Sequence, residues 1–282
     1  MGLDKGFCCM EKVTGREVTV AGLKIIAYTS MFIDHFASII VKPYLEMRGY
    51  EASDNMLLEI MSGIGRLAFP IFCFMLIEGI KKSSNRKKYL FRLLIMAIIS
   101  EPCFDLAHGG NFFDPTSQNV CITLFIGGCM LALKELYWER IRNIQLRWGM
   151  FIATAILAAA ITRILKTDYN ITGIAIIIII YYIVPLMKLD IFYAIIVMGA
   201  GIYMAYFAKY FIIYPKHRMN GIDWQWYLEA AWTQQMLEPI VLFFINKYTG
   251  KKGRTMPRLV YYGFYPLHLL ILGLIAKVAW GI

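Results

Sequence analysis

The chain has 282 residues, 59% of them hydrophobic, a mean hydropathy of +0.57, and 29 basic against 19 acidic residues. That exceeds the roughly half apolar content of soluble domains, and the apolar residues fall in blocks of bilayer-spanning length, which excludes an ordinary soluble domain. In a soluble protein the formal net charge of +10 would point to nucleic acid; here the basic residues sit in short loops between apolar blocks, as topogenic charge does, so no nucleic-acid partner is expected.

Residues 1–16 carry charges of both signs and no apolar stretch before a cleavage site, so no removable signal is expected and residues 1–21 read as a cytosolic segment. Cys8 and Cys9 are a weak lipidation signal, being adjacent cysteines without a supporting motif. Segments of about twenty apolar residues follow at 22–41, 60–80, 89–107, 120–137, 150–165, 171–187, 191–213, 228–245 and 259–281, the fifth and sixth being short. Residues 22–282 are therefore expected to form a single all-α, polytopic membrane domain, a helical bundle of about nine transmembrane helices embedded in the lipid bilayer. With the N-terminus in the cytosol, 19 basic residues lie inside and 8 outside, the asymmetry of a multi-pass membrane protein in that orientation, and the expected location is a cell membrane, the bacterial inner or cytoplasmic membrane. Cys73, Cys103, Cys121 and Cys129 lie in or at the ends of apolar blocks without metal-ligand spacing, and no metal is expected.

The buried polar residues are one-sided in this arrangement. Asp34 and His35 lie in the outer half of the first segment, where an ionisable pair costs a few kcal/mol to insert and is therefore a functional candidate. Arg66 enters the second segment from outside, Glu101 and Asp105 close the third, Asn119 opens the fourth, and Asp168 and Tyr169 join the fifth to the sixth. Thr233, Gln234, Gln235 and Glu238 fall in the outer half of the eighth, and these groups together can converge on an externally open cavity. The long external connection before them carries Trp224, Trp226 and Tyr227, either an interfacial belt or a lid.

At the inner face the run from Lys81 to Lys88 could bind phosphates or serve only topology and anionic lipid. Lys24 and His35 are eleven residues apart, so they share a helix face, with the histidine about 16 Å deeper. A long ligand with an anionic head and a thin reactive tail fits that line.

These residues resemble the TraX family of integral membrane proteins, named for N-terminal acetylation of F-type pilin. The likeness runs through Leu23-Lys24-Ile25-Ile26-Ala27 with Ile33-Asp34-His35, Gly65-Arg66-Leu67-Ala68-Phe69-Pro70, Asn85-Arg86-Lys87-Lys88-Tyr89, Ser100-Glu101-Pro102, Gln118-Asn119-Val120, Lys166-Thr167-Asp168-Tyr169 and Phe264-Tyr265-Pro266-Leu267-His268. The layout is also similar to a wider group of transmembrane acyltransferases in which a basic residue, ten intervening positions and a histidine recur in the first conserved span. The resemblance implies acetyl-CoA bound from the cytosol as co-substrate, its pantetheine arm threaded to a membrane histidine, and an acceptor of unknown identity arriving from the extracytoplasmic side.

On that reading His35 is the general base, because imidazole ionises near neutrality and burial favours the neutral form that accepts a proton. Arg66 is expected to donate to the thioester oxygen or to anchor an acidic acceptor group. Lys24, Arg86 and Lys88 are expected near the CoA phosphates, and Asp34, Asp105, Asn119, Asp168 and Tyr169 on the acceptor side. Asp34 points about 100° away from His35 and is read as a packing or acceptor contact. His35 could instead merely pair two helices, and His268, two residues after Pro266, admits a structural or a catalytic role. A multi-span transporter or flippase, or a non-catalytic assembly factor, are the rival readings.

Overall fold

The computed structural model describes residues 17–50, 55–187, 189–213, 237–254 and 257–281. Trp224, Trp226, Tyr227 and Thr233 to Gln235 lie outside them, as does the first half of the expected 228–245 segment. The described chain is an all-α membrane bundle. Among the described residues six helical stretches are long and apolar enough to cross a bilayer: Val20–Met47, Met56–Lys82, Val120–Arg140, Ile144–Ile164, Ile191–Lys209 and Leu259–Trp280.

The first stretch opens at Thr19, whose hydroxyl accepts from the Gly22 amide at 3.1 Å and caps α1 (Val20–Phe36). It continues without a break through a π turn, Ala37–Val41, into α2 (Lys42–Met47), so helix replaces the start of the polar connection expected from residue 42. A π turn directly after His35 is a feature enriched at functional sites.

The expected second span is two helices, α3 (Met56–Gly65) and α4 (Ala68–Lys82). Pro70 has no amide to donate to the Arg66 carbonyl, so the helical ladder lapses at Arg66 and Leu67 and restarts. α5 (Arg86–Gly109) is capped by Asn85, whose side chain accepts from the Lys88 amide at 2.9 Å. It stops at Gly110, which takes the left-handed conformation at φ 70°.

α6 (Val120–Arg140) is followed by α7 (Ile144–Ile164), which starts six residues earlier than residue 150 and is a full-length span rather than a short one. α8 (Asn170–Leu186) has 17 residues, short as expected, and α9 (Ile191–Ile213) has the expected bounds. After a 3-10 turn, Glu238–Ile240, come α10 (Val241–Asn246) and α11 (Arg258–Trp280).

Two apolar clusters hold the bundle. α4, α6 and α8 bury Phe74, Ile77, Leu131, Ile176 and Ile177 in one. The other gathers Met31 of α1, Ala97 and Phe104 of α5, Cys121 of α6 and Tyr265 and Leu269 of α11. At one end a backbone clasp joins the start of α1 to the segment after α10. The Val18, Val20 and Ala21 amides donate to the carbonyls of Lys247, Lys251 and Lys252 at 2.9, 2.9 and 3.2 Å, and the Thr249 amide donates to Val18 at 3.0 Å. The clasp satisfies amides that a helix N-terminus otherwise leaves open.

Candidate functional site

A cavity of about 580 Å³ opens beside this clasp and runs between α1, α4, α5, α6 and α11. Its outer rim carries Lys24, Lys82, Arg92 and Lys252, four cations from four separate segments of the chain. Glu78 also lines it, but that carboxylate is already engaged, with the Lys82 ammonium 2.9 Å away and the Tyr248 hydroxyl donating to it. Deeper in, the lining turns to Phe72, Met96, Met31, Cys121 and Tyr265. The rim therefore suits an anionic group and the throat an apolar chain.

Lys24 lies where the sequence suggested, half-buried with its ammonium 4.1 Å from the centre of the Tyr261 ring. Arg86 and Lys88 are not among the lining residues. The Arg86 guanidinium instead pairs with Glu139 at 3.0 Å and donates to the Ile80 carbonyl at 3.3 Å, and Lys88 is exposed. Lys82, Arg92 and Lys252 take the places expected of them. Lys82 belongs to the basic run already noted; Lys252 is brought in by the clasp and leaves no local trace in the sequence.

Met31 and Tyr265, at the inner end of the cavity, stand one turn before His35 on α1 and His268 on α11. There the two imidazoles meet edge to edge and nearly coplanar, with ring centroids 4.9 Å apart and planes 9° from parallel, and Nδ1 of His35 lies 2.7 Å from Nε2 of His268. His268 is buried, and its Nδ1 is 2.7 Å from the Phe264 carbonyl. His108, in the last turn of α5, approaches edge-on with its ring centre 6.1 Å from that of His35. It also lines a second cavity of about 120 Å³ beyond the histidines, together with Ser38 and Ile39 of the π turn, Pro43, Gly110 and Ala276. The histidine cluster thus lies between two openings.

The expected acceptor-side residues divide. Arg66, at the α3–α4 break, is in Coulombic reach of Asp34, Tyr169, Tyr206 and Glu238 and does not line the large cavity, so the geometry does not bring it to a thioester there. Asp34 turns to this group, away from His35, as its position on the helix suggested, and lies in Coulombic reach of Asp168 as well. Asp168 is exposed, with its amide donating to the Gln118 carbonyl at 2.8 Å, and Tyr169 stacks on Phe69 with centroids 3.7 Å apart. His108 is in reach of both Asp34 and Asp168, which makes it the link between the ionic group and the histidine cluster.

Asp105 and Asn119 both hold local structure. One Asp105 oxygen accepts from the Asp114 amide at 2.9 Å and ties down the loop after α5. Buried Asn119 caps α6 by accepting from the Cys121 amide at 2.9 Å, while its side-chain amide donates to the Ala97 carbonyl at 2.9 Å and to Glu101. In the loop itself, Asp114 lies outside the membrane, and hydrogen bonds from Thr116 hold its carboxyl below the usual range.

No solved structure matches the chain. Over 259 residues it is 27% identical to a relative from Dichelobacter nodosus described as a probable fimbrial assembly protein, FimC of serogroup H1, and the alignment covers 89% of this chain and 92% of the relative. A family profile described as TraX protein matches residues 19–276, from the cap of α1 to the last turns of α11. The match takes in the histidine-bearing turns of α1, α5 and α11, and the chain belongs to the TraX family.

Proposed function

We propose that this protein is a membrane acetyltransferase that moves an acetyl group from cytosolic acetyl-CoA to an amine or hydroxyl presented on the opposite side of the membrane. The relative's description as a fimbrial assembly protein makes a fimbrial subunit the first acceptor to test. One observation carries the reading: a cavity with a cationic rim and an apolar throat leads to within a turn of a hydrogen-bonded histidine pair, and a second opening meets the cluster from beyond.

The side chains present fit the co-substrate. Lys24, Lys82, Arg92 and Lys252 offer charge-assisted hydrogen bonds to phosphates, and Phe72, Met96 and Met31 line a channel for an unbranched arm. The distance from Lys24 to His35 along α1, about 16 Å, matches an arm of that kind threaded from rim to histidine. The positive-inside rule puts the Lys24 end in the cytosol.

His35 then takes the proton from the acceptor as its nitrogen or oxygen attacks the thioester carbonyl. The carbon–sulfur bond breaks, and the imidazolium returns the proton to the departing thiolate, so that protons and electrons balance. A base so positioned contributes about 10²–10⁴-fold. The acceptor reaches His35 from the His108 side, through the smaller opening. Asp168, in Coulombic reach of His108 and Arg66, is assigned with Arg66 to holding charged parts of the acceptor.

The direct test is to incubate purified protein in lipid nanodiscs with acetyl-labelled acetyl-CoA and the membrane fraction of its host, and to identify the labelled product. The wild type is expected to transfer label and His35→Ala to lose about 10³-fold in rate while still binding acetyl-CoA. Equal labelling by both removes His35 from the chemistry.

A further inference from the structure

We infer that His268 is a positioning residue that fixes which nitrogen of His35 is free to act, through a hydrogen-bonded chain ending on the Phe264 carbonyl. The inference rests on the acetyltransferase reading and adds to it a residue from the far end of the sequence.

The argument is one of counting hydrogens. A backbone carbonyl can only accept, so the 2.7 Å contact between Phe264 O and His268 Nδ1 requires the hydrogen to be on Nδ1. His268 is 5% exposed and packed among Phe264, Tyr265 and Phe32, an apolar setting in which an imidazolium is costly. The neutral ring has a single N–H, already used, and its Nε2 is therefore an acceptor. Nδ1 of His35, 2.7 Å away, must then be the donor. What remains on His35 is Nε2 with its lone pair, on a ring that is half-buried rather than sealed.

The roles cannot be exchanged between the rings. His268 spends both nitrogens inside the protein, on Phe264 and on His35, and has none left for a substrate. The same chain serves the second half of the reaction. When His35 takes a proton on Nε2, its Nδ1–H becomes a charged donor to the waiting Nε2 of His268, and a charge-assisted hydrogen bond is roughly twice as strong as a neutral one. His268 thus orients the base and steadies its protonated form, as the carboxylate of a catalytic triad does, without carrying a charge of its own.

Two variants separate this role from packing. His268→Gln can place a carbonyl oxygen near the position of Nε2 and keep an acceptor for His35. His268→Phe keeps an aromatic ring beside Phe264 but removes the acceptor. In nanodiscs with acetyl-labelled acetyl-CoA and host membrane fraction, His268→Gln is expected to retain activity to within about tenfold. His268→Phe should lose about 100-fold in kcat with KM for acetyl-CoA unchanged. A packing role predicts the reverse order, and Phe performing as well as or better than Gln overturns the inference.

Nitrogen-15 NMR of histidine-labelled protein reads the same point without any assay. The His35 signal, assigned by its loss in His35→Gln, should report an Nδ1-protonated ring in the wild type and a mixture of tautomers in His268→Phe. A wild-type His35 protonated on Nε2, or a tautomer indifferent to His268→Phe, overturns it. Should His35→Ala transfer acetyl as fast as the wild type, the enzyme reading itself fails. If His35→Ala is inactive and His268→Phe is normal, only the present inference does.

Discussion

Gly65 of α3 faces Asp34 of α1 so closely that a Cβ on the glycine would lie 2.3 Å from the Asp34 Cβ. No flexible side-chain end is available to yield, because the obstructing atoms are the stem of Asp34 and its carboxyl group. Gly65→Ala should therefore push α3 off α1, at a cost of about 1–3 kcal/mol typical of overpacking. Thermal unfolding in detergent should register a clear loss, and an unchanged melting curve would show that the two helices are less tightly set than described.

The cavity rim predicts a division among the lysines. Lys24→Ala and Lys252→Ala should each weaken acetyl-CoA binding about 3–10-fold, the modest value reflecting partial solvent screening, and their combination should approach the product. Lys88→Ala, off the rim, should leave affinity unchanged. Arg86→Ala should do the same and cost less than about 1 kcal/mol in stability, since it removes an exposed ion pair. Calorimetric titration of the five variants at two salt concentrations checks the set.

Asn119 should behave as a structural residue despite its place among acceptor-side candidates. Asn119→Ala removes a helix cap and leaves the buried Ala97 carbonyl and Glu101 short of a donor, at about 2–3 kcal/mol together. Asn119→Asp keeps the cap but sets a carboxylate against Glu101 and should be worse still. Melting temperatures of the two variants decide, and a stable Asn119→Ala with impaired acceptor use would return the residue to the site.

Ala276 lines the smaller cavity and is 5% exposed. Ala276→Leu should fill much of the 120 Å³ space beside His108. If the acceptor passes there, the variant raises the acceptor KM or stops transfer, with acetyl-CoA affinity unaltered by calorimetry. Wild-type transfer would send the acceptor by another route.

Much of the architecture was legible because hydrophobic length is a strong signal: the bounds of α6, α8, α9 and α11 fall within a few residues of those read from the sequence. The break at Arg66 was hidden because Pro70 acts four residues upstream, on a carbonyl rather than at its own position. Within the site, Lys24 and His35 could be paired because one helix carries both. Partners contributed by tertiary contact could not, and His268 lies 233 residues from His35. Polarity and depth mark out the acceptor-side residues in the sequence, and neither property distinguishes a helix cap such as Asn119 from a ligand contact.

The backbone clasp between residues 17–21 and 247–252 has a consequence for biogenesis. The rim lysines it gathers, Lys24 and Lys252, and the two histidines, 233 residues apart, are widely separated along the polypeptide, so a ribosome must make the long stretch between them before either pair can assemble. A half-made molecule therefore has neither the complete cationic rim nor the histidine pair, and the order of synthesis itself acts as a safety catch.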